Sequence, residues 1–186
     1  MSAAAEAAEA RARCWRVRPA RPGDAEAMRA IYNDAVATTT ATMDTEPRSA
    51  EQQAAWMAAH GEAARYPALV AEEASAGRRV VGWAALSPYN PKPGYATTAE
   101  VSVYVDAAAR GRGVGGALLR ALVEEGRRRG FVTLVALITS DNLASLRLHA
   151  RHGFGDVGTL GRVARKFDRW VDVTILQKHL DADRDG

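Results

Sequence analysis

Apolar residues along this chain recur by turns at a period of two and at a period near 3.6, which predicts strands alternating with helices. Trp15 to Pro19 reads as a first short strand, and Pro22-Gly23-Asp24 as a turn delivering an N-cap to a helix that runs to about Ala37. A polar, threonine-rich stretch, Thr38 to Thr45, follows. Ser49 with Gln52 three residues on is a capping-box pattern that opens a second helix through about His60. Leu69 to Glu72 and Arg79 to Leu86 predict two strands joined across Ser75-Ala76-Gly77 as an antiparallel hairpin. Three prolines, an asparagine and a lysine between Ser87 and Gly94 predict a loop, and loops beside a rigid site often choose the substrate.

From Glu100 to Val105 the alternation places Val101, Val103 and Val105 on a core face and Glu100, Ser102 and Tyr104 on the other, which therefore carries a potential acid-base residue. Ala117, Leu118, Ala121, Leu122 and Val123 then form a helical stripe, with Arg120, Glu124 and Arg127 off it. Phe131 to Ile138 is nearly continuous apolar sequence, as expected of a central strand buried on both faces. A short helix from about Leu143 stops at Gly153, placed as a C′ glycine. Strands near Phe154 to Arg162 and Trp170 to Gln177 flank a turn at Lys166-Phe167-Asp168-Arg169. The expected architecture is α/β, a mixed sheet with helices on its faces.

Between the valine strand and its helix lies Arg110-Gly111-Arg112-Gly113-Val114-Gly115-Gly116. Glycines admit close backbone approach to an anion, a helix start offers unpaired N–H groups and a positive dipole end, and two arginines add charge. The run therefore reads as a pyrophosphate cradle. It also matches the dinucleotide fingerprint at Gly111, Gly113 and Gly116, with Asp141 as a possible ribose-binding acid. In that fingerprint the first glycine follows its strand almost directly, whereas Asp106 to Arg110 intervene here. A nucleotide-triphosphate loop is disfavoured because no Lys-Ser or Lys-Thr pair follows.

A length of 186 residues, 47% of them hydrophobic, suggests one domain, expected over residues 15–180 between tails at 1–14 and 181–186. The net charge of +3 comes from scattered arginines, and Arg127-Arg128-Arg129 fits a solvated helix end better than a nucleic-acid surface. The single cysteine, Cys14, excludes an internal disulfide and fits a reducing compartment. The first dozen residues lack the apolar core of a secretory signal, and Glu6 and Glu9 argue against a transit peptide. With no apolar run able to span a bilayer, the expectation is a cytoplasmic protein without membrane or nucleic-acid partners.

The order strand, RGRGVGG, helix, buried strand, then Asn142-x-x-Ser145-x-x-x-His149-x-x-x-Gly153-Phe154 resembles the GCN5-related N-acetyltransferase superfamily over roughly Arg16 to Leu180. Tyr32-Asn33, Thr39-x-x-Thr42, Glu46-Pro47, Tyr66-Pro67-x-Leu69-Val70-Ala71-Glu72, Glu100 to Val105, Leu148-His149 and Lys166-Phe-Asp-Arg-Trp170-x-Asp172-Val173 are similar, in that order, to its phosphinothricin and methionine sulfoximine acetyltransferase group. The resemblance implies a mostly antiparallel central sheet with a splayed parallel strand pair, helices on both faces, and transfer of acetyl from acetyl-CoA to an amine. It assigns the CoA pyrophosphate to the backbone of Arg112 to Gly116, with Arg110 and Gly111 opening the motif. Val103, Tyr104 and Val105 would pair with the pantetheine arm, and Asn142, with Ser145 in the same motif, would contact it. Homodimers are common in the group.

By the same resemblance Glu100 is the base that takes a proton from the ammonium; read alone, it fits a surface or salt-bridged strand residue equally. His149 stands where many relatives carry the tyrosine that protonates the departing thiolate, so it would deliver that proton or organise the amine. A histidine near a helix end also serves to cap or pack its helix. An N–H near Val103 would polarise the thioester carbonyl. Substrate-side positions map to Met43, Lys92, Tyr95 and Tyr104, and to Val163 to Lys166 of a dimer partner. Met43 replaces a usual Phe, Lys92 a usual Arg, and Asp168 a usual Gly, departures that weigh against narrow phosphinothricin specificity. Glu100, Asp141 and His149 lack ligand spacing, so no metal is expected, and Cys14 is misplaced for an acyl-enzyme, which leaves direct attack in a ternary complex. The rival readings are the same chemistry on another amino acid, a polyamine or a protein N-terminus, and a CoA-binding regulatory module without turnover.

Overall fold

In the computed structural model the described residues are 15–61, 63–74 and 77–180; the expectations for residues 1–14, including Cys14, for Ser75 and Ala76, and for 181–186 lie outside them. Period-two segments become strands β1 (Trp15–Pro19), β2 (Ala68–Glu73), β3 (Val80–Pro88), β4 (Thr98–Val105), β5 (Thr133–Thr139), β6 (Gly155–Lys166) and β7 (Arg169–His179). Helical segments become α1 (Ala25–Thr38), α2 (Ala50–Ala59), α3 (Val114–Arg128) and α4 (Leu143–Arg151). The capping box forms as its spacing predicts: the Gln52 N–H donates to Ser49 Oγ at 3.2 Å and the Ser49 N–H to Gln52 Oε1 at 2.8 Å. Asp24 occupies the N-cap of α1 but makes no side-chain cap, because its carboxylate accepts from Arg18 and from the Arg21 N–H instead.

The strands form one sheet in the order β1-β2-β3-β4-β5-β7-β6, antiparallel except between β4 and β5. One face packs on α3 through Leu69, Leu86, Val101, Leu118 and Leu122; the other packs on α1 and α2 through Val70, Trp83, Ala85, Met28 and Met57. With a single parallel pair between antiparallel neighbours, the sheet is not doubly wound, which removes the dinucleotide alternative. Two strand expectations change. β5 starts two residues later than predicted, and Leu137 is 44% exposed, so this central strand is not buried throughout. β6 runs four residues past Arg162 by means of two register irregularities against β7.

β4 and β5 are in register only from Thr98–Thr133 to Glu100–Val135, although both strands continue beyond. The pair therefore splays at Glu100. The Thr97 carbonyl accepts from Val132 and Thr133 on the β5 side, while the Asp106 N–H donates to Val81 on the β3 side. By two-residue alternation the main-chain groups of Val103 and Val105, beyond the last Glu100–Val135 pairing, face the gap, where β5 no longer satisfies them. The arginines at the end of α3 pair with its own acids, Arg127 with Glu124 and both Arg128 and Arg129 with Glu125. Among the described residues no helix is long and apolar enough to cross a membrane.

Candidate active site

Two cavities meet at the splay. The larger, about 740 Å³, is a groove along Val103 to Val105, the glycine run and α4. Gly113 is the N-cap of α3 with φ +92°, a left-handed conformation that glycine adopts without steric cost. This turn aims the first N–H groups of α3, which no helical carbonyl can reach, toward the groove. Gly115 lets α4 approach, since a Cβ there would stand 3.2 Å from Leu148 Cδ2. Arg110 locks the run to β4, its Nε donating to the Val105 carbonyl at 3.1 Å, and Arg110, Arg147, Arg151 and Arg169 give the groove a positive lining.

The remaining cofactor positions divide. Val103, Tyr104, Val105, Arg110, Gly111, Val114, Gly115, Gly116, Asn142 and Ser145 all line the groove. Arg112, expected among them, does not join the groove lining: its guanidinium lies 4.7 Å over the Trp15 ring, and its carbonyl accepts from Trp15 Nε1. Asn142 Oδ1 is committed to the start of α4, accepting from the Ser145 N–H at 3.1 Å, which leaves the amide NH₂ to donate to a ligand. A strand edge with unpaired main chain, leading to a left-handed glycine turn, a helix start and a basic wall, suits a ligand with amides along its arm and phosphates at its end. Asp141, the possible ribose acid, instead bonds Thr40 Oγ1 and Arg169 Nη2, and these bonds outweigh burial to hold its carboxyl below the usual range.

The second cavity, about 510 Å³, contains Glu100, His149, Met43 and Tyr104 and shares Ala41, Val103, Tyr104, Asn142 and Ser145 with the groove. Glu100 is half-buried at the point where the strands part, and loss of solvent pushes its carboxyl above the usual range. His149 is 3% exposed. Its Nδ1 lies 2.9 Å from the Ser145 carbonyl oxygen and so carries the proton, while Nε2 is buried without a partner among the described residues. Burial holds the imidazole below its ordinary value, so at neutral pH Nε2 is a lone pair, an acceptor that can give a proton only after taking one. Tyr104 packs edge-on against Tyr32 at 5.1 Å, and its burial pushes the phenol well above the usual range.

Three features differ from what the sequence assigned, Val163 and Lys166 among them, which were expected from a dimer partner and here serve their own chain. Leu137, Ile138, Leu160, Val163 and Val173 make one wall of the second cavity apolar. Lys166, 4% exposed, donates through Nζ to the Thr42 carbonyl at 2.8 Å and ties the β6–β7 turn to the loop over the cavity. That loop is braced below by the Tyr32 hydroxyl, 2.5 Å from Asp44 Oδ2 and 3.0 Å from Thr42 Oγ1. Lys92 and Tyr95 do not join the cavity lining; Tyr95 is 43% exposed and packs on Tyr89, outside the walls that this chain supplies. Among the described residues no cluster of three or more His, Cys, Asp or Glu is placed to hold a metal.

Comparison with known proteins extends these observations. The family model described as Acetyltransferase (GNAT) family matches residues 28–154. The chain is 41% identical over 168 residues to an L-methionine sulfoximine/L-methionine sulfone acetyltransferase of Pseudomonas paraeruginosa, covering 90% of this chain and 96% of that protein. It is 40% identical over 164 residues to a phosphinothricin N-acetyltransferase of Streptomyces coelicolor, covering 88% and 95%. Among solved structures, yncA from Salmonella typhimurium with its cofactor acetyl-CoA superposes with a TM-score of 0.84 at 37% identity, covering 90% of this chain and 94% of that one.

Proposed function

The chain belongs to the acetyltransferase (GNAT) family and is an acetyl-CoA-dependent N-acetyltransferase, and on that premise we propose that its acceptor is the α-amino group of a small amino-acid-like compound of the methionine sulfoximine or phosphinothricin type. One observation carries the reading: a half-buried carboxylate, Glu100, lines the cavity with the apolar wall, and that cavity shares Ala41, Val103, Tyr104, Asn142 and Ser145 with the glycine groove. The groove residues named above, from Val103 to Gly116 with Asn142 and Ser145, would hold the cofactor. Acetyl-CoA supplies an activated acetyl thioester, whose C–S bond breaks as the new C–N bond to the amine forms and whose sulfur leaves with the electron pair.

The chain's own groups do the rest. An ammonium has no lone pair, so Glu100 takes its proton through an intervening water, and desolvation of the carboxyl strengthens it as a base. His149 Nε2 accepts a hydrogen bond from a second amine hydrogen and orients the nitrogen lone pair toward the gap; as the C–N bond forms it takes that proton and passes it to the departing thiolate sulfur. The Val103 N–H, facing that gap, stabilises negative charge on the acetyl oxygen. No covalent intermediate with the protein is involved, so both substrates are held at once.

The apolar wall favours a methionine-like arm over one carrying a second full negative charge, because among the described residues no Lys or Arg lines this cavity. A homodimer belongs to the same reading. Val157, Leu160, Val163, Phe167 and Trp170 are 46–56% exposed on the β6–β7 hairpin, a face that a partner would cover; of the stretch expected from a partner, Val163 and Ala164 line the cavity of their own chain and Lys166 bonds its own Thr42. The test is acetyl-CoA-dependent thiol release by purified protein with methionine sulfoximine, methionine sulfone, phosphinothricin, ordinary amino acids and polyamines. Saturable release with the first two, at a kcat/KM at least about tenfold above polyamines, is expected from a pocket that discriminates by apolar burial. Release with polyamines alone would reject the acceptor class, and binding of acetyl-CoA without release on any amine would favour a regulatory module.

A further inference from the structure

His60, at the C-cap of α2, is 7% exposed and has no part in the chemistry described so far. Its ring stacks on Trp56 with centroids 3.9 Å apart and planes 12° from parallel. Nδ1 lies 2.8 Å from the Trp56 carbonyl oxygen, which can only accept, so Nδ1 carries the proton and Nε2 is a lone pair. That lone pair sits 3.2 Å from Ser87 Oγ and takes the Ser87 hydroxyl hydrogen.

Ser87 stands directly opposite Glu100 in the β3–β4 register. Opposed residues of an antiparallel pair point to the same face, with Cβ atoms about 4.5–5.5 Å apart. The hydroxyl on the residue opposite Glu100 has already given its hydrogen to His60. Among the described residues no Ser87–Glu100 hydrogen bond forms, as two sets of lone pairs require. Once protonated, the carboxyl gains a hydrogen that Ser87 can accept. A bond available only to the neutral acid favours that form.

We propose that His60 is a positioning residue for the catalytic base: by holding the Ser87 hydroxyl hydrogen it turns only the lone pairs of that hydroxyl toward Glu100, which raises the affinity of the carboxylate for the proton it must remove. The proposal rests on the assignment of Glu100 as base. The groups around the relay leave its polarity intact. Against His60 pack Trp56 of α2, Ser87 of β3 and, through its own carbonyl, the Ala68 N–H of β2, with Arg48 from the segment before α2 as the charged neighbour. Burial and Arg48 together hold the imidazole below its ordinary value, so it stays neutral where the enzyme works. Around the Glu100 cavity stand His149 of α4, neutral, Tyr104 of β4, protonated, and the uncharged Thr42 and Met43 of the overlying loop.

The experiment is a titration of the Glu100 side-chain carboxyl by ¹³C NMR in the full chain, its resonance identified by its loss in Glu100→Gln. His60→Phe keeps the stack and removes the acceptor, so Ser87 turns its hydrogen toward the carboxylate. The Glu100 midpoint should fall by about half a pH unit or more, as expected when a hydrogen bond shifts to the charged form. Ser87→Ala should lower it less, and the double variant should match Ser87→Ala, because His60 acts only through that hydroxyl. His60→Gln, which offers an amide oxygen as acceptor, should restore the midpoint. An unchanged midpoint in His60→Phe, or a double variant that falls below Ser87→Ala, overturns the proposal. Should His60→Phe not fold, Ser87→Ala alone decides: a lowered midpoint supports the relay and an unchanged one removes it. Since the titration needs no turnover, its outcome is separate from whether Glu100 is the base, which the activity of Glu100→Gln decides.

Discussion

Glu100→Gln is expected to lower kcat by about 10²–10⁴-fold, the usual loss when a positioned general base is removed, while acetyl-CoA affinity stays within about twofold of the parent. The amide fills the same space but cannot take a proton. Binding should survive because the groove proposed to hold the cofactor is built from the β4 edge, the glycine turn and the start of α3, none of which needs the Glu100 charge. The pH profile supplies a second readout. Loss of solvent raises the folded Glu100 carboxyl above its ordinary value, so the group is protonated and inactive on the acid side, and activity rises as pH climbs through that raised midpoint. In Glu100→Gln this acid limb should vanish from kcat/KM while the limb belonging to the acceptor ammonium remains. Steady-state rates over pH with isothermal titration of acetyl-CoA check both parts; unchanged turnover would remove Glu100 from the role of base.

The parts of this site that were legible in the sequence are those that depend on local rules. Ser49 and Gln52 satisfy one another's backbone three residues apart, and the glycine run spans the N-cap and first turn of α3, so spacing alone locates both. The alternation that separates Val101, Val103 and Val105 from Glu100, Ser102 and Tyr104 is likewise a property of one strand. What no local pattern carries is where two strands stop pairing. The splay begins at Glu100 and Val135, and it decides that Leu137, in an unbroken apolar run, ends exposed beside a cavity instead of buried between layers. Side-chain commitments over long separations were hidden in the same way. Arg112 turns to Trp15, 97 positions earlier, and Lys166 reaches the Thr42 carbonyl across 124 positions. Lys92 and Tyr95 were placed by resemblance, and the loop that carries them runs outside the walls one chain provides.

The same distinction between backbone and charge makes Gly113 the sharpest test of the cofactor groove. Gly113→Asp is expected to weaken acetyl-CoA binding by about a hundredfold or more, since two like charges about 4 Å apart cost up to about 4 kcal/mol near a protein surface. The fold should tolerate the change. A Cβ at this position meets nothing within 4 Å, aspartate is among the residues that enter the left-handed region at modest cost, and a negative charge suits a helix N-terminus. That favourable position is the reason binding fails: the new carboxylate takes up the N–H groups and the dipole end that would otherwise face a pyrophosphate. Gly113→Asn shares the size and the left-handed tolerance but carries no charge, so it should lose far less affinity, separating electrostatic exclusion from backbone strain. The Asp defect should also shrink as salt rises, because screening acts on repulsion between partly exposed charges. Isothermal titration of acetyl-CoA against the three proteins at low and high salt, with melting temperatures to verify folding, decides the matter; full affinity in a folded Gly113→Asp protein would move the phosphates away from the start of α3.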